Sequence, residues 1–230
     1  MLIRLGLPYS SWGALAQAAA ELDAPTLLSM GSMYRRDRGL TPVGLAAWNT
    51  SAALDSGGFT AMMQGGYRWS VAQHVEFVVT NSGDGAMPFP WNWWASMDYC
   101  CEPQIAQNRA EVERRIDLTV QSHYETMDEM AWWREEGVND VPDPMPTLQG
   151  RTAEDYLRCA SYFHELPDLV GLGSVCRRGL WGPDGLLPIL DVLHAELPEH
   201  VQLHLFGVKG PALPHLAKYG ERIFSTDSMA

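Results

Sequence analysis

The chain has 230 residues, 46% of them hydrophobic and 19% charged, and a formal net charge of −12. Its length suits one large domain with a substantial core, and the lack of any run of about 18 uncharged apolar residues excludes a helical membrane span. The acidity weighs against a nucleic-acid partner, because phosphate contacts need Lys and Arg, unless basic groups gather locally, as at Arg35, Arg36 and Arg38 or at Arg177 and Arg178.

Residues 1–23 lack a basic region followed by a continuous apolar stretch, so no signal peptide is expected. A β-favouring run, LIRLGLP at 2–8, leads into an Ala-rich stretch of strong helix propensity at 11–23. Further apolar runs follow as TLLSMGS at 26–32 and AALDSGG at 52–58. Residues 80–94 are rich in Gly, Pro and Trp and read as a long loop into a fourth run, WWASMDYC at 93–100. A charged helix is expected over 104–136, with Ile105, Val112, Ile116 and Val120 on one face. A second loop at 135–146 precedes the fifth run, MPTLQG at 145–150. Thr152 with Asp155 three positions on has the form of an N-cap with an acidic first turn. The last three runs are LVGLGSV at 169–175, VQLHLFGV at 201–208 and RIFSTDS at 222–228.

Several runs are nearly continuous rather than alternating, as in strands buried on both faces of a parallel sheet. Strand alternating with helix means βαβ units, and eight such strands imply an α/β fold, a (β/α)8 TIM barrel in a single domain over 1–230. No internal repeat or linker divides the chain.

Cys100, Cys101, Cys159 and Cys176 form no C-x-x-C pair, which suits reduced thiols in the cytoplasm. The histidines do not cluster with them, so no metal site is expected, and His194, His200 and His204 read as surface and strand residues.

Catalytic groups of such a barrel sit at the C-terminal ends of its strands. There the sequence places Asp55-Ser56-Gly57-Gly58, Asp98, Gln149-Gly150, Gly173-Ser174, Gly207 with Lys209, and Asp227-Ser228 on six successive runs. Singly each has a structural explanation: a turn, a helix cap or a loop hydrogen bond. Their coincidence at one end of successive strands points to a site. Carboxylates facing one pocket allow a nucleophile and a separate acid/base. Gln149 offers a donor and an acceptor, and Gly173 an unobstructed backbone N–H. Asp98 is able to accept two donors at once from an amidine-like edge such as guanine N1–H and N2–H, while Tyr99, Phe59 and Met side chains suit a flat ring. The set fits a purine.

ALDSGGF, SMDYCCEP, LQG, VGLGSVCRR, LHLFGVK and STDSMA resemble, in order and spacing, the tRNA-guanine transglycosylase superfamily. LQGRTAEDYLRCASYF followed by VGLGSVCRRG is most similar to its DNA-acting branch, the deazapurine DNA modification proteins called DpdA, and the resemblance covers residues 50–230. It implies a pentosyltransferase that exchanges guanine in DNA for a 7-deazaguanine such as 7-cyano-7-deazaguanine. By that resemblance Asp227 is the nucleophile and Asp55 the general acid/base. Ser56, Asp98, Gln149, Gly150 and Gly173 bind the base, and Arg177 and Arg178 are candidates for phosphate. No cofactor is implied.

The tRNA-acting enzymes carry a cysteine-rich zinc site after the nucleophile strand, and here three residues follow Asp227. The expected barrel therefore lacks its last helix and the zinc subdomain, which favours DNA as substrate or means that the sequence is incomplete. The partners implied are DNA, the free base and no membrane, with a partner protein or a homodimer; a basic partner or a patch around Arg177 and Arg178 is needed to offset the acidity. Three rival readings remain. They are the same exchange on tRNA, a catalytically silent nucleic-acid-binding paralogue, and an unrelated barrel enzyme acting on a small phosphorylated substrate, for which FGVKGPAL is a faint phosphate cup.

Overall fold

Each of the eight apolar runs contributes a strand, and helices fall between them. The structure, a computed structural model, describes residues 1–7, 14–41, 51–82, 91–208 and 210–229, with 228 and 229 described by their backbone alone. The first elements are β1 (Leu2–Leu7), α1 (Ala14–Glu21), β2 (Thr26–Ser29), α2 (Met30–Met33), β3 (Tyr34–Arg35), β4 (Gly39–Leu40), β5 (Ala52–Asp55), α3 (Gly58–Met63), α4 (Val71–Thr80) and β6 (Trp91–Trp94). The long α5 (Arg109–Glu135) leads to β7 (Thr147–Leu148), α6 (Ala153–Ser161), β8 (Leu169–Leu172), α7 (Leu186–Glu196), β9 (Gln202–Leu205), a short α8 (Leu213–Leu216) and β10 (Ile223–Met229). Eight parallel strands alternating with helices make this an α/β fold of the (β/α)8 class.

The chain divides into two compact units. One is built on Arg4–Met97 and Ser122–Pro144, the other on Asp98–Gln121 and Met145–Ser228, with Met1–Ile3. In the first unit the strand order is β6-β5-β2-β1, every neighbouring pair parallel, with Leu28 opposite Leu54 and Ser29 opposite Asp55. Its core gathers Leu28, Met30, Leu54, Val75 and Trp94. Arg4 is fully buried there, and its guanidinium donates to Thr26 O at 3.3 Å, to Ser51 O at 2.9 Å and to Asn92 Oδ1. It thereby fixes the beginnings of three neighbouring strands. Burial lowers its pKa to about 10.

In the second unit the order is β10-β9-β8-β7, again all parallel. The expected N-cap holds. Thr152 and Asp155 form a reciprocal capping box, and Asp155, fully buried, also accepts from Arg109 and from Arg158, the latter at 2.8 Å. Burial raises its pKa, but the N–H groups of Thr152 and Arg151 and the Arg109 guanidinium outweigh that and hold the carboxyl below its ordinary value.

Three boundaries differ from the sequence reading. The helix expected over 104–136 begins at Arg109, which leaves Ile105 in the turn before it. The second run leaves the sheet at Ser29, and from Met30 the chain enters α2 and leads to the β3–β4 hairpin, whose exposed tip carries Arg36 and Arg38. The fourth strand spans Trp91–Trp94, so Asp98 lies beyond its strand rather than on it. Trp91, Trp93 and Trp94 are all buried, which extends the strand back into what reads by composition as loop. Residues 83–90 of that loop, and Lys209, lie outside the described residues.

Candidate active site

The segment after β6 is held on α5 by two contacts. The Tyr99 N–H donates to Thr119 Oγ1 at 2.9 Å and Arg115 Nη1 donates to Cys100 O at 3.2 Å. This places Asp98, 8% exposed, against Gln149, which follows β7 and is fully buried. Gln149 Nε2 donates to Asp98 Oδ2. At the other end of the same amide, Ser174 Oγ donates to Gln149 Oε1 at 2.6 Å. Ser174 Oγ also lies 3.1 Å from Glu102 Oε2 and accepts the Cys101 N–H at 2.6 Å. The amide is thus oriented from both ends, nitrogen toward Asp98 and oxygen toward the hydroxyl.

The glycines have definite reasons. A Cβ on Gly173 would lie 2.1 Å from Gln149 Nε2, so only Gly at this position leaves room for the carboxamide. The free Gly173 N–H expected from the sequence is instead committed to Leu148 O at 3.0 Å, inside the sheet, while its carbonyl accepts the Tyr156 hydroxyl at 2.7 Å. What Gly173 contributes is space. Gly150 packs against the start of α6, where a Cβ would meet Asp155 Cβ at 2.7 Å. Ser174 adopts φ 56°, a left-handed conformation uncommon outside Gly, which aims its hydroxyl into the cluster.

A chain of contacts continues from this cluster to Asp227. Cys176 Sγ donates to Glu102 Oε1 at 3.6 Å, and Cys176 packs so closely on Gly207 that a Cβ there would come within 2.7 Å. Gly207, at φ 68°, turns the chain after β9 and donates its N–H to Asp227 Oδ1 at 2.7 Å. His204 Nε2 lies 3.4 Å from that same oxygen, and His204 Nδ1 is 2.8 Å from Ser225 Oγ. Asp227 is 4% exposed, and the neighbouring Thr226 Oγ1 donates to Leu205 O at 2.9 Å, keeping β10 in register with β9.

Asp55 and Ser56 belong to the other unit. Gly57 is left-handed at φ 77°, and a Cβ on it would lie 2.5 Å from Gly31 N. Ser56, fully buried, accepts the Gly58 N–H at 3.0 Å and the Tyr67 hydroxyl at 3.2 Å. The Ser56 hydroxyl therefore shapes the turn, and Asp55 is left half-buried at the end of β5. Deeper in this unit His74 accepts from Trp69 Nε1 at 3.3 Å and faces Ala95 O at 3.1 Å, and burial lowers its pKa to about 4. In the same unit Tyr34, Arg38, Arg68, Trp69 and Glu76 are among the residues lining a cleft of about 430 Å³.

Arg178 behaves differently from the phosphate ligand suggested by its sequence. Nε donates to Ser174 O at 2.6 Å, Nη1 to Arg151 O and Asp184 O, and Nη2 to Gly150 O and the Tyr156 hydroxyl. All five N–H groups of a guanidinium are thereby engaged, and the side chain staples the loops after β7 and β8. Arg177, exposed beside it, carries the charge at the surface.

The thiols are insulated. Burial and then the Glu102 charge raise Cys176 to about 11, and burial raises Cys159 to about 12, with Cys100 and Cys101 pushed higher still. Among the described residues no group of three or more His, Cys, Asp or Glu is placed to hold a metal ion, and no helix is long and apolar enough to cross a membrane.

Three members of the cluster were not legible as site residues: Glu102, Ser174 as an orienting hydroxyl, and His204. Their partners lie 72, 25 and 21 positions away, and no local motif encodes such pairs. Among curated proteins none matches the chain. A family model described as DpdA, DeoxyPurine in DNA protein A, matches residues 14–230.

Proposed function

The chain belongs to the DpdA family, which works in the deazapurine modification of DNA, and on that premise we propose that it is a transglycosylase exchanging guanine in DNA for a 7-deazaguanine. The observation that carries the reading is the continuous chain of contacts from Asp98 through Gln149, Ser174, Glu102, Cys176 and Gly207 to Asp227. It couples an edge suited to guanine with a buried carboxylate at the end of β10.

The target guanine leaves the stack, at a cost of a few kcal/mol in a duplex. Its N1–H and N2–H donate to Asp98, with the Gln149 amide fixed alongside and Gly150 and Gly173 leaving the room. Asp227 Oδ2 attacks C1′ of the sugar as the C1′–N9 bond breaks, and the departing base takes a proton from Asp55. The entering deazaguanine returns a proton from N9 to Asp55 and attacks C1′, and the C1′–Oδ2 bond breaks to regenerate the carboxylate. Two displacements at one carbon retain its configuration. Ser56 acts through the Asp55 turn. Arg177 and the Arg38–Arg68 cleft supply positive charge for phosphates on an otherwise acidic chain.

The test follows labelled guanine or 7-cyano-7-deazaguanine into DNA and tRNA in parallel, with wild type, Asp227→Asn and Asp55→Asn. Label entering DNA alone, reduced at least about 10³-fold in Asp227→Asn, is the expected result. Label in tRNA would overturn the choice of polymer. No label in either polymer with wild type would favour the silent paralogue.

A further inference from the structure

Among the described residues, two polar groups approach the Asp227 carboxylate, and both do so on one oxygen. The Gly207 N–H at 2.7 Å and His204 Nε2 at 3.4 Å both address Oδ1. His204 is fully buried on β9, its ring packed edge-on against Phe206 at 4.6 Å between centroids, so its orientation is fixed by packing. A carboxylate only accepts, so a bond from His204 to Asp227 needs the tautomer with the proton on Nε2, in which Nδ1 accepts from the buried Ser225 hydroxyl at 2.8 Å; at 3.4 Å that bond is not yet made. In that tautomer the line Ser225 to His204 to Asp227 is poised to donate to the oxygen that does not attack.

We infer that His204 is a positioning residue for Asp227, holding Oδ1 so that Oδ2 faces the sugar and helping Asp227 to leave the covalent intermediate. The inference rests on Asp227 as nucleophile. In the first displacement the Oδ2–C1′ bond forms, the C1′–N9 bond breaks, and Oδ1 becomes the carbonyl oxygen of a neutral ester. In the second, N9 of the entering base bonds C1′, the bond pair returns to Oδ2, and negative charge reappears on both oxygens. A donor binds a carboxylate more strongly than an ester carbonyl. His204 therefore assists the second step more than the first, and without it the adduct persists. The separation of 3.4 Å is that of an open site, in which such contacts shorten when substrate is bound.

The test uses full-length protein, a guanine-containing DNA strand and labelled 7-cyano-7-deazaguanine. Protein–DNA adduct is counted after denaturing quench, its site mapped by peptide mass, and exchange is measured alongside. His204→Phe keeps the ring and removes the donor, whereas His204→Gln keeps an N–H near the position of Nε2. Expected for His204→Phe is a fall of about tenfold in exchange with a rise in the adduct fraction. His204→Gln restores both. Exchange falling equally in the two variants, or falling with no rise in adduct, would overturn the inference while leaving the nucleophile in place. Adduct persisting in Asp227→Asn, mapped to another residue, would remove the nucleophile assignment and this inference together.

Discussion

Around Asp55 the buried polar side chains, Arg4 apart, are largely neutral: His74 between Trp69 and Ala95, and His123 beside Ser96 at 3.2 Å. The unit of Asp227 buries carboxylates beside its neutral polar groups: Asp98, Glu102, Asp155 and Asp227, each 8% exposed or less and each met by donors from distant parts of the chain. A neutral ring is buried at the cost of one or two hydrogen bonds, so it can serve packing alone. A carboxylate needs donors fixed in place, and once these exist the same scaffold orients groups toward a ligand. The first unit is thereby suited to holding a turn steady, and the second to recognition and chemistry.

Gly173→Ala should break the second unit most. The added Cβ displaces Gln149 from Asp98, so exchange should drop more than about 100-fold as a buried hydrogen-bonding edge loses its partners. Free-base binding measured by calorimetry should fall with it, while a melt shows the chain still folded. Retained binding would mean that Gln149 does not read the base.

Gly57→Ala tests the first unit. It forces a side chain into a left-handed position 2.5 Å from Gly31 N, and should cost about 2 kcal/mol in urea unfolding. Asp55→Asn should leave the same unfolding curve nearly unmoved. Equal losses in the two variants would make Asp55 part of the turn's stability.

The smallest effect separates the units by pH. His74 and His123 are both lowered by burial to about 4, from an ordinary 6.5. As pH falls from 6.5 toward 4 the unfolded chain binds protons that the folded chain refuses, so stability declines across that window. Asp155 is lowered as well, by its donors rather than by burial, and so acts in a more acid window. Its contribution is present above the ordinary carboxylate range and is lost as pH falls through its lowered value. Melting temperature followed against pH should lose its upper limb in a His74→Gln, His123→Gln double variant and its lower limb in Asp155→Asn. A double variant with an unchanged upper limb would place the titration elsewhere.

Much of this was legible in the residues. Apolar runs located all eight strands, because strands covered on both faces must be apolar nearly throughout. The spacing of Thr152 and Asp155 announced a helix start, since a capping box is a local device. The β3–β4 hairpin was missed because its strands have two residues each, too few to show a period. Gly173 read as an open N–H because sequence does not reveal that the amide bonds Leu148, and Arg178 read as a phosphate ligand because five acceptors from separated loops leave no trace in a dipeptide. His204 was correctly placed on a strand, yet its meaning lies in a residue of the next one.

The burial of three thiols and the partial burial of Cys176 have a practical consequence. With Cys176 raised to about 11 and Cys159 to about 12, and the other two higher, thiolate is scarce at neutral pH and maleimide or peroxide finds little to react with. A single cysteine introduced at exposed Asp37 would be the one fast-reacting thiol. A fluorophore there, on the arginine-bearing hairpin, would report DNA arrival without any native cysteine being removed.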